Sequence, residues 1–233
     1  MMINKFLPDS QTALSTQIFF LLDMTGSMGE NKAATIDAFN EYVGSLKSDD
    51  TTSGLKFSLA IFNSAIGIGL NIDKESLSDV PKLTDINYVP NGTTPLYDAI
   101  GFSIDSLDGA EGSVLFIVLT DGYENSSTRF DKHDIKQKIS RKTEQDWKFV
   151  FLGCDIDAIE EGRDIGISHQ SSKSYSRAAS SQAMSDVADA TVRYAKRDYV
   201  SRREIDTKYI GNEFLKKAFS HTLTVVPEGD EVI

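Results

Sequence analysis

Three oxygen-bearing side chains, Asp23, Thr25 and Ser27, stand at two-residue intervals in the stretch Gln17 to Gly29, QIFFLLDMTGSMG. In a tight loop that interval can aim all three at one point. One donor is charged and two are neutral hydroxyls, with no thiolate or imidazole nearby. Such a set prefers Mg²⁺, with Mn²⁺ or Ca²⁺ as alternatives, over zinc. The same residue types after a strand are also ordinary helix caps, and Ser27 is placed to cap the helix that follows. The stretch alone allows both readings, and oxygens from distant segments must decide between them.

The elements that would position these donors are legible from periodicity. Ile18 to Leu22 is an uninterrupted apolar run with aromatic and β-branched members, which suits a strand covered on both faces of a parallel sheet. Asp23 then falls at the strand's C-terminal end, where open α/β sheets place their ligands. Ile36, Phe39, Val43 and Leu46 recur at helical spacing, predicting an amphipathic helix from Glu30 to Lys47. Leu55 to Phe62 reads as a second strand, and Ile66 to Ile72, with two glycines, as an edge strand. Asp73 to Pro90 has weak patterning punctuated by Pro81 and Pro90.

Asn91-Gly92 signals a turn, and Thr94 before Pro95 is a natural N-cap for a helix carrying Leu96, Ile100, Ile104 and Leu107. Ser113 to Thr120, SVLFIVLT, is a second strongly apolar strand, and it also ends in an acid, Asp121-Gly122. A helix follows from Asp131 to Glu144, then a strand from Lys148 to Gly153. Asp155 and Asp157 precede a short helix from Ala158 to Asp164 and read as its caps. A last short strand is expected within Ile165 to Tyr175, and a helix from Ala179 to Tyr199. Alternating strands and helices of these lengths imply right-handed crossovers and a mostly parallel sheet.

Composition narrows the function classes. The 233 residues are 40% hydrophobic and 25% charged, as expected for one large soluble domain with extensions. The net charge of −11 argues against nucleic acid, which draws on an excess of Lys and Arg. No apolar run approaches the roughly 20 residues needed to cross a bilayer, so no membrane is expected as a partner. The single Cys154 and the polar start predict a cytoplasmic protein. Residues 1–16 read as a leader, 17–199 as the domain, and 200–233 as a basic, helical extension and tail.

Taken together, Asp23-Met24-Thr25-Gly26-Ser27-Met28 after one strand, Gly92-Thr93-Thr94-Pro95-Leu96 before a helix, and Leu119-Thr120-Asp121-Gly122 after another strand resemble the metal-ion-dependent adhesion site of von Willebrand factor A (vWA) domains. The resemblance spans about Gln17 to Tyr199. It implies an α/β fold with a doubly wound, mostly parallel central sheet, helices on both faces and one antiparallel edge strand. It also implies that Asp23, Ser27 and Thr94 stand closest to a Mg²⁺ ion, with Thr25 or Asp121 acting partly through water. Thr25 replaces the serine more usual in the family. The implied function is a non-enzymatic, Mg²⁺-dependent interaction module. An unknown protein partner's Asp or Glu completes the metal shell, and the loops Asn63 to Gly67, Asn91 to Thr93 and Tyr123 to Arg129 set specificity.

The strongest enzyme alternative is a haloacid-dehalogenase-like phosphotransferase, which Asp-x-Thr-Gly after a strand also resembles. There Asp23 would be a nucleophile, Thr120 a phosphate ligand and Mg²⁺ still required. Asp155 and Asp157 would supply the late acids, but no lysine is clearly placed and the Thr94 motif has no role. No phosphate-binding Gly-x-x-x-x-Gly-Lys and no Gly-x-Ser-x-Gly elbow occurs. His133, His169 and His221 read as surface residues, and Cys154 as a small core residue. A third reading is a structural domain whose ion site serves no partner.

Overall fold

The computed structural model describes residues 16–110 and 112–195. Six strands form one sheet in the order β3-β2-β1-β4-β5-β6: β1 is Gln17–Asp23, β2 Lys56–Asn63, β3 Gly67–Ser76, β4 Val114–Thr120, β5 Lys148–Cys154 and β6 Ser172–Tyr175. All neighbours pair in parallel except β2 and β3, so the one antiparallel strand lies at an edge, as expected.

The helices are α1 (Lys32–Lys47), α2 (Leu96–Ser106), α3 (Lys132–Glu144), α4 (Ala158–Asp164) and α5 (Ser180–Ala195). They divide between the two faces because successive strand side chains point to opposite sides. From β1, Ile18, Phe20 and Leu22 pack with Phe39 and Tyr42 of α1 and with Met184 and Val187 of α5. Phe19 and Leu21 pack instead with Leu96 and Ile100 of α2 and Ile135 of α3. The ring of Phe20 meets Phe39 edge-on at 5.4 Å, while that of Phe19 stacks on Phe116 at 5.1 Å. These contacts anchor β1 from both sides and fix where its C-terminal Asp23 emerges. Among the described residues no helix is long and apolar enough to cross a membrane.

Several expectations need correction. The strand predicted to end at Ile72 continues to Ser76. Its register against β2 shifts between Phe57 and Ala60, where Lys74 adopts φ 52° and donates its backbone N–H to Ser58 Oγ at 3.0 Å. That bulge breaks the alternation a strand would otherwise show in sequence. The first helix begins at Lys32 rather than Glu30, because Gly26–Gly29 form a separate 3₁₀ turn. Thr16, expected in a loosely packed leader, is buried. The rest of that leader, the end of the last helix at Tyr199, His221 and the C-terminal extension lie outside the described residues.

Candidate metal centre

Four parallel strands, β1, β2, β4 and β5, end at one edge of the sheet, and their following loops meet there. Leu22 pairs with Leu119, which sets Asp23 beside Thr120 at the ends of adjacent central strands. Asp23 is fully buried. Its Oδ1 accepts the Thr25 backbone N–H at 2.6 Å and its Oδ2 accepts the Thr120 hydroxyl at 2.5 Å. Tyr88 donates its hydroxyl to the Asp23 carbonyl at 2.6 Å, holding the strand end from the other side. Burial pushes the Asp23 carboxyl up to about 6. The Thr120 and Thr25 hydrogen bonds oppose that rise, and the nearby Asp121 charge adds to it.

Ser27 Oγ lies 3.2 Å from Thr25 Oγ1 and donates to Asp121 Oδ1 at 2.6 Å. Asn31 donates its amide to Asp121 Oδ2 at 3.1 Å. Thr94 reaches the same place from the loop before α2: a Cβ on Gly122 would stand 3.1 Å from Thr94 Oγ1 and 3.6 Å from Ser27 Oγ. The absence of a side chain at Gly122 therefore leaves both hydroxyls open to one space. The backbone joins the loops as well, with Gly26 N–H on the Gly92 carbonyl at 3.0 Å and Asn91 N–H on the Met24 carbonyl at 3.0 Å. Of the neighbouring threonines, Thr94 is buried in this network, while Thr93 is exposed and donates to Ser126 Oγ at 2.9 Å.

The helix-capping alternative fails at both helices. The α1 N-cap is Asn31, which makes no side-chain capping bond, and Ser27 lies inside the 3₁₀ turn. Helix α2 starts at Leu96 with Pro95 as its cap residue, correcting the expectation that Thr94 caps it. The orphan N–H groups there are satisfied from the loop after β4 instead. Glu124 accepts from Tyr97 N–H at 2.8 Å, and Ser127 Oγ accepts from Asp98 N–H at 2.9 Å. Freed from that task, the Thr94 hydroxyl faces the site. Asp157 does cap α4, accepting from Glu160 N–H at 3.0 Å, as the sequence suggested.

Five candidate residues, Asp23, Thr25, Ser27, Thr94 and Asp121, thus come together. The donor set is two carboxylates and three hydroxyls, hard oxygens suited to a hard divalent cation. Two buried or half-buried carboxylates in one network also leave negative charge that a cation would balance. The Asn31 Oδ1, buried and without a hydrogen-bond partner, marks polar capacity left over beside Asp121. No cluster of three or more His, Cys, Asp or Glu that could hold a metal exists among the described residues, so a thiolate- or imidazole-based centre does not fit. The phosphotransferase alternative fits poorly. Asp157, one of its two late acids, is occupied as the cap of α4, and the Thr94 loop that meets Ser27 at Gly122 has no role in it.

The residues that support the donors carry no local signal in the sequence. In the sequence Thr120 is a motif residue with a role only as a phosphate ligand in the phosphotransferase reading, yet strand register places it against Asp23, whose carboxylate it holds. Asn31 reads as an ordinary polar residue at a helix start, and nothing local marks it as buried. Glu124 lies in a loop of small polar residues, but its carboxylate accepts from the backbones of Tyr97, Ser126 and Ser127 and from the Ser127 hydroxyl. Glu124→Ala is expected to destabilise the domain by about 2 kcal/mol, because it strands several donors at once. Hydrogen exchange at the Tyr97, Ser126 and Ser127 amides should accelerate more than at the β1 amides.

The fold is similar to that of the pilus adhesin SpaC from Lactobacillus rhamnosus GG, at 14% identity and TM-score 0.64, covering 79% of this chain and 31% of that one. It is similar to proximal thread matrix protein 1 from the mussel byssus, at 18% identity and TM-score 0.55, covering 76% of this chain and 48% of that one. It is also similar to the vWF domain of the type V pili tip protein Mfa5 from Porphyromonas gingivalis, at 9% identity and TM-score 0.58, covering 80% and 98%. The chain spans about half the mussel protein's length and about a third of SpaC's. No curated protein matches the sequence. The family model for the von Willebrand factor type A domain matches residues 17–190, from the start of β1 into α5, and the chain belongs to that family.

Proposed function

We propose that this domain is a divalent-cation-dependent protein-interaction module without catalysis of its own. Asp23, Ser27 and Thr94 are the residues that would hold the ion most closely, with Thr25 and Asp121 acting partly through water. Mg²⁺ is the assigned ion, Mn²⁺ and Ca²⁺ sharing its preference for oxygen. When bound, the cation supplies an incompletely filled shell that a partner's Asp or Glu carboxylate can complete. The chain's own residues do the rest. Thr120 and the Thr25 N–H orient Asp23, Asn31 and Ser27 orient Asp121, and Gly122 keeps the space open.

The observation that carries this reading is the meeting of Ser27, Thr94 and Asp121, from three separate loops, around a glycine with no Cβ. A crystal form of the mussel relative is described with a zinc-occupied MIDAS motif, at 16% identity and TM-score 0.52, covering 77% of this chain and 46% of that one. That occupancy lends support to a metal role for the corresponding loops here.

Calorimetry on the full chain tests it. Mg²⁺ should bind at a single site, raise the melting temperature, and lose both effects on chelation. Thr94→Val removes one hydroxyl at constant volume and should weaken binding at least about tenfold, or 1.4 kcal/mol. Absence of heat and of any thermal shift up to ~10 mM Mg²⁺, Mn²⁺ or Ca²⁺ would refute the proposal.

A further inference from the structure

Large apolar side chains left in water are not spread evenly over this domain. Among the described residues six stand exposed, and four of them, Ile66 (54%), Ile86 (90%), Val89 (51%) and Tyr123 (52%), lie on loops at the edge that carries the candidate metal centre. The other two are Leu70 on the edge strand β3 and Phe102 against Phe130.

Three of the four, Ile66, Val89 and Tyr123, are tied to the centre by a bond of their own loop, and Ile86 stands on the same loop as Val89. Val89 donates its N–H to Met24 Sδ at 3.3 Å, and its neighbour Tyr88 holds the Asp23 carbonyl. Ile86 adjoins Asp85, whose carboxylate pairs with Lys32 at the start of α1 at 3.3 Å. Ile66 sits in the turn that Asn63 closes, and Asn63 also donates to the Met24 carbonyl at 3.1 Å. Tyr123 follows Asp121 and Gly122, and its hydroxyl accepts the Asp157 N–H at 3.2 Å from the opposite side. Apolar surface therefore brackets the donor set on both sides.

The charges at this edge are mostly negative. Glu30, Asp85 and Asp155 are exposed here, against Lys32, held on Asp85, and Arg129 in the loop after β4. A partner with a run of acids would be repelled by that rim and by the chain's net charge of −11. A single carboxylate aimed at the metal is not.

We infer that the site takes a peptide segment of another protein in which one Asp or Glu is flanked by large apolar residues, with Lys or Arg beyond them. The carboxylate would complete the metal shell, the apolar side chains would cover Ile86 and Val89 on one side and Tyr123 on the other, and the cations would face the acidic rim. The inference rests on the metal-bridge reading above. Ile86, Val89 and Tyr123 are its specificity-determining residues; none belongs to the donor set.

Panning a random 12-residue peptide library over the immobilised full chain in Mg²⁺, with elution by chelator, tests this. Eluted peptides should converge on one acid beside an aliphatic or aromatic residue, with Lys or Arg nearby. A synthetic peptide of that consensus should bind Ile86→Ser, Val89→Ser and Tyr123→Ser at least tenfold more weakly. Mg²⁺ affinity should stay as in the wild type, since none of the three belongs to the donor set, and the melting temperature should hold in Ile86→Ser and Val89→Ser; Tyr123→Ser also gives up the bond from the Asp157 N–H and should melt slightly lower. Chelator-eluted peptides that carry an acid but no apolar neighbour, or equal binding to all three variants, would overturn the inference and leave the metal bridge standing. Mg²⁺ binding with no peptide retained would also overturn it. Absence of Mg²⁺ binding in the same protein would instead bring down the metal-bridge reading itself.

Discussion

Asp23→Asn should abolish the thermal shift that Mg²⁺ gives the wild type while leaving the metal-free fold at least as stable. The two halves of that result have one cause. Asparagine keeps the Oδ1 that accepts the Thr25 N–H, and its amide can donate to the Thr120 hydroxyl where the carboxylate now accepts. Local geometry therefore survives. What disappears is a buried negative charge. Losing one carboxylate from the cation's surroundings removes about 3 kcal/mol or more of attraction, at least about a hundredfold in Kd.

The metal-free protein adds a pH test. Burial raises the Asp23 carboxyl from 3.8 to about 6. The folded state therefore holds its proton more tightly than the unfolded chain does. Stability from this group is fully present below pH 4 and is lost as pH rises through about 6. In chelator, the melting temperature of wild type relative to Asp23→Asn should fall across that window. A constant difference from pH 4 to 7 would contradict the burial argument.

Gly153→Ala is the second large effect, and it concerns the scaffold. Gly153 lies in β5, between Thr120 of β4 and Ser174 of β6. A Cβ there would meet Ala158 Cβ and Ile156 Cγ1, each at 2.6 Å. Ala158 opens α4 and is buried, so its Cβ can retreat only if the helix moves. Overpacking of that kind costs about 3 kcal/mol, which in a domain of this size lowers the melting temperature by about 10 °C. The Mg²⁺-induced shift should persist, because the donors lie on the loops after β1 and β4 and before α2, none of which joins β5 to α4. Loss of that shift in Gly153→Ala would mean the α4 side supports the centre more directly than the hydrogen bonds indicate.

The parts of this molecule legible in the sequence are those governed by local pattern. The apolar runs of β1 and β4 mark buried strands because both faces are covered, and both end in an acid at the ligand-binding edge. The five candidate donors are spread over three loops, and the sequence groups them through motif resemblance rather than spacing. Less legible are features set by contacts between distant segments. The end of β3 is hidden by a bulge whose partner, Ser58, lies a strand away. Thr94 looks like a helix cap until Glu124, 30 residues on, is seen to do that work. Asn31 looks solvent-facing at a helix start, and only the meeting of α1 with the loop after β4 buries it against Asp121.

Hydroxyls and carboxylates from three loops are proposed to hold one divalent cation. A crystal of the full chain grown with Mn²⁺, with an anomalous difference map at the manganese edge, tests it most directly. One strong peak is predicted within about 2.5 Å of Ser27 Oγ and Thr94 Oγ1, with Asp23 and Asp121 around it and a remaining position open to water or a carboxylate. A map with no peak near Gly122, or with manganese bound only elsewhere on the acidic surface, would contradict the account.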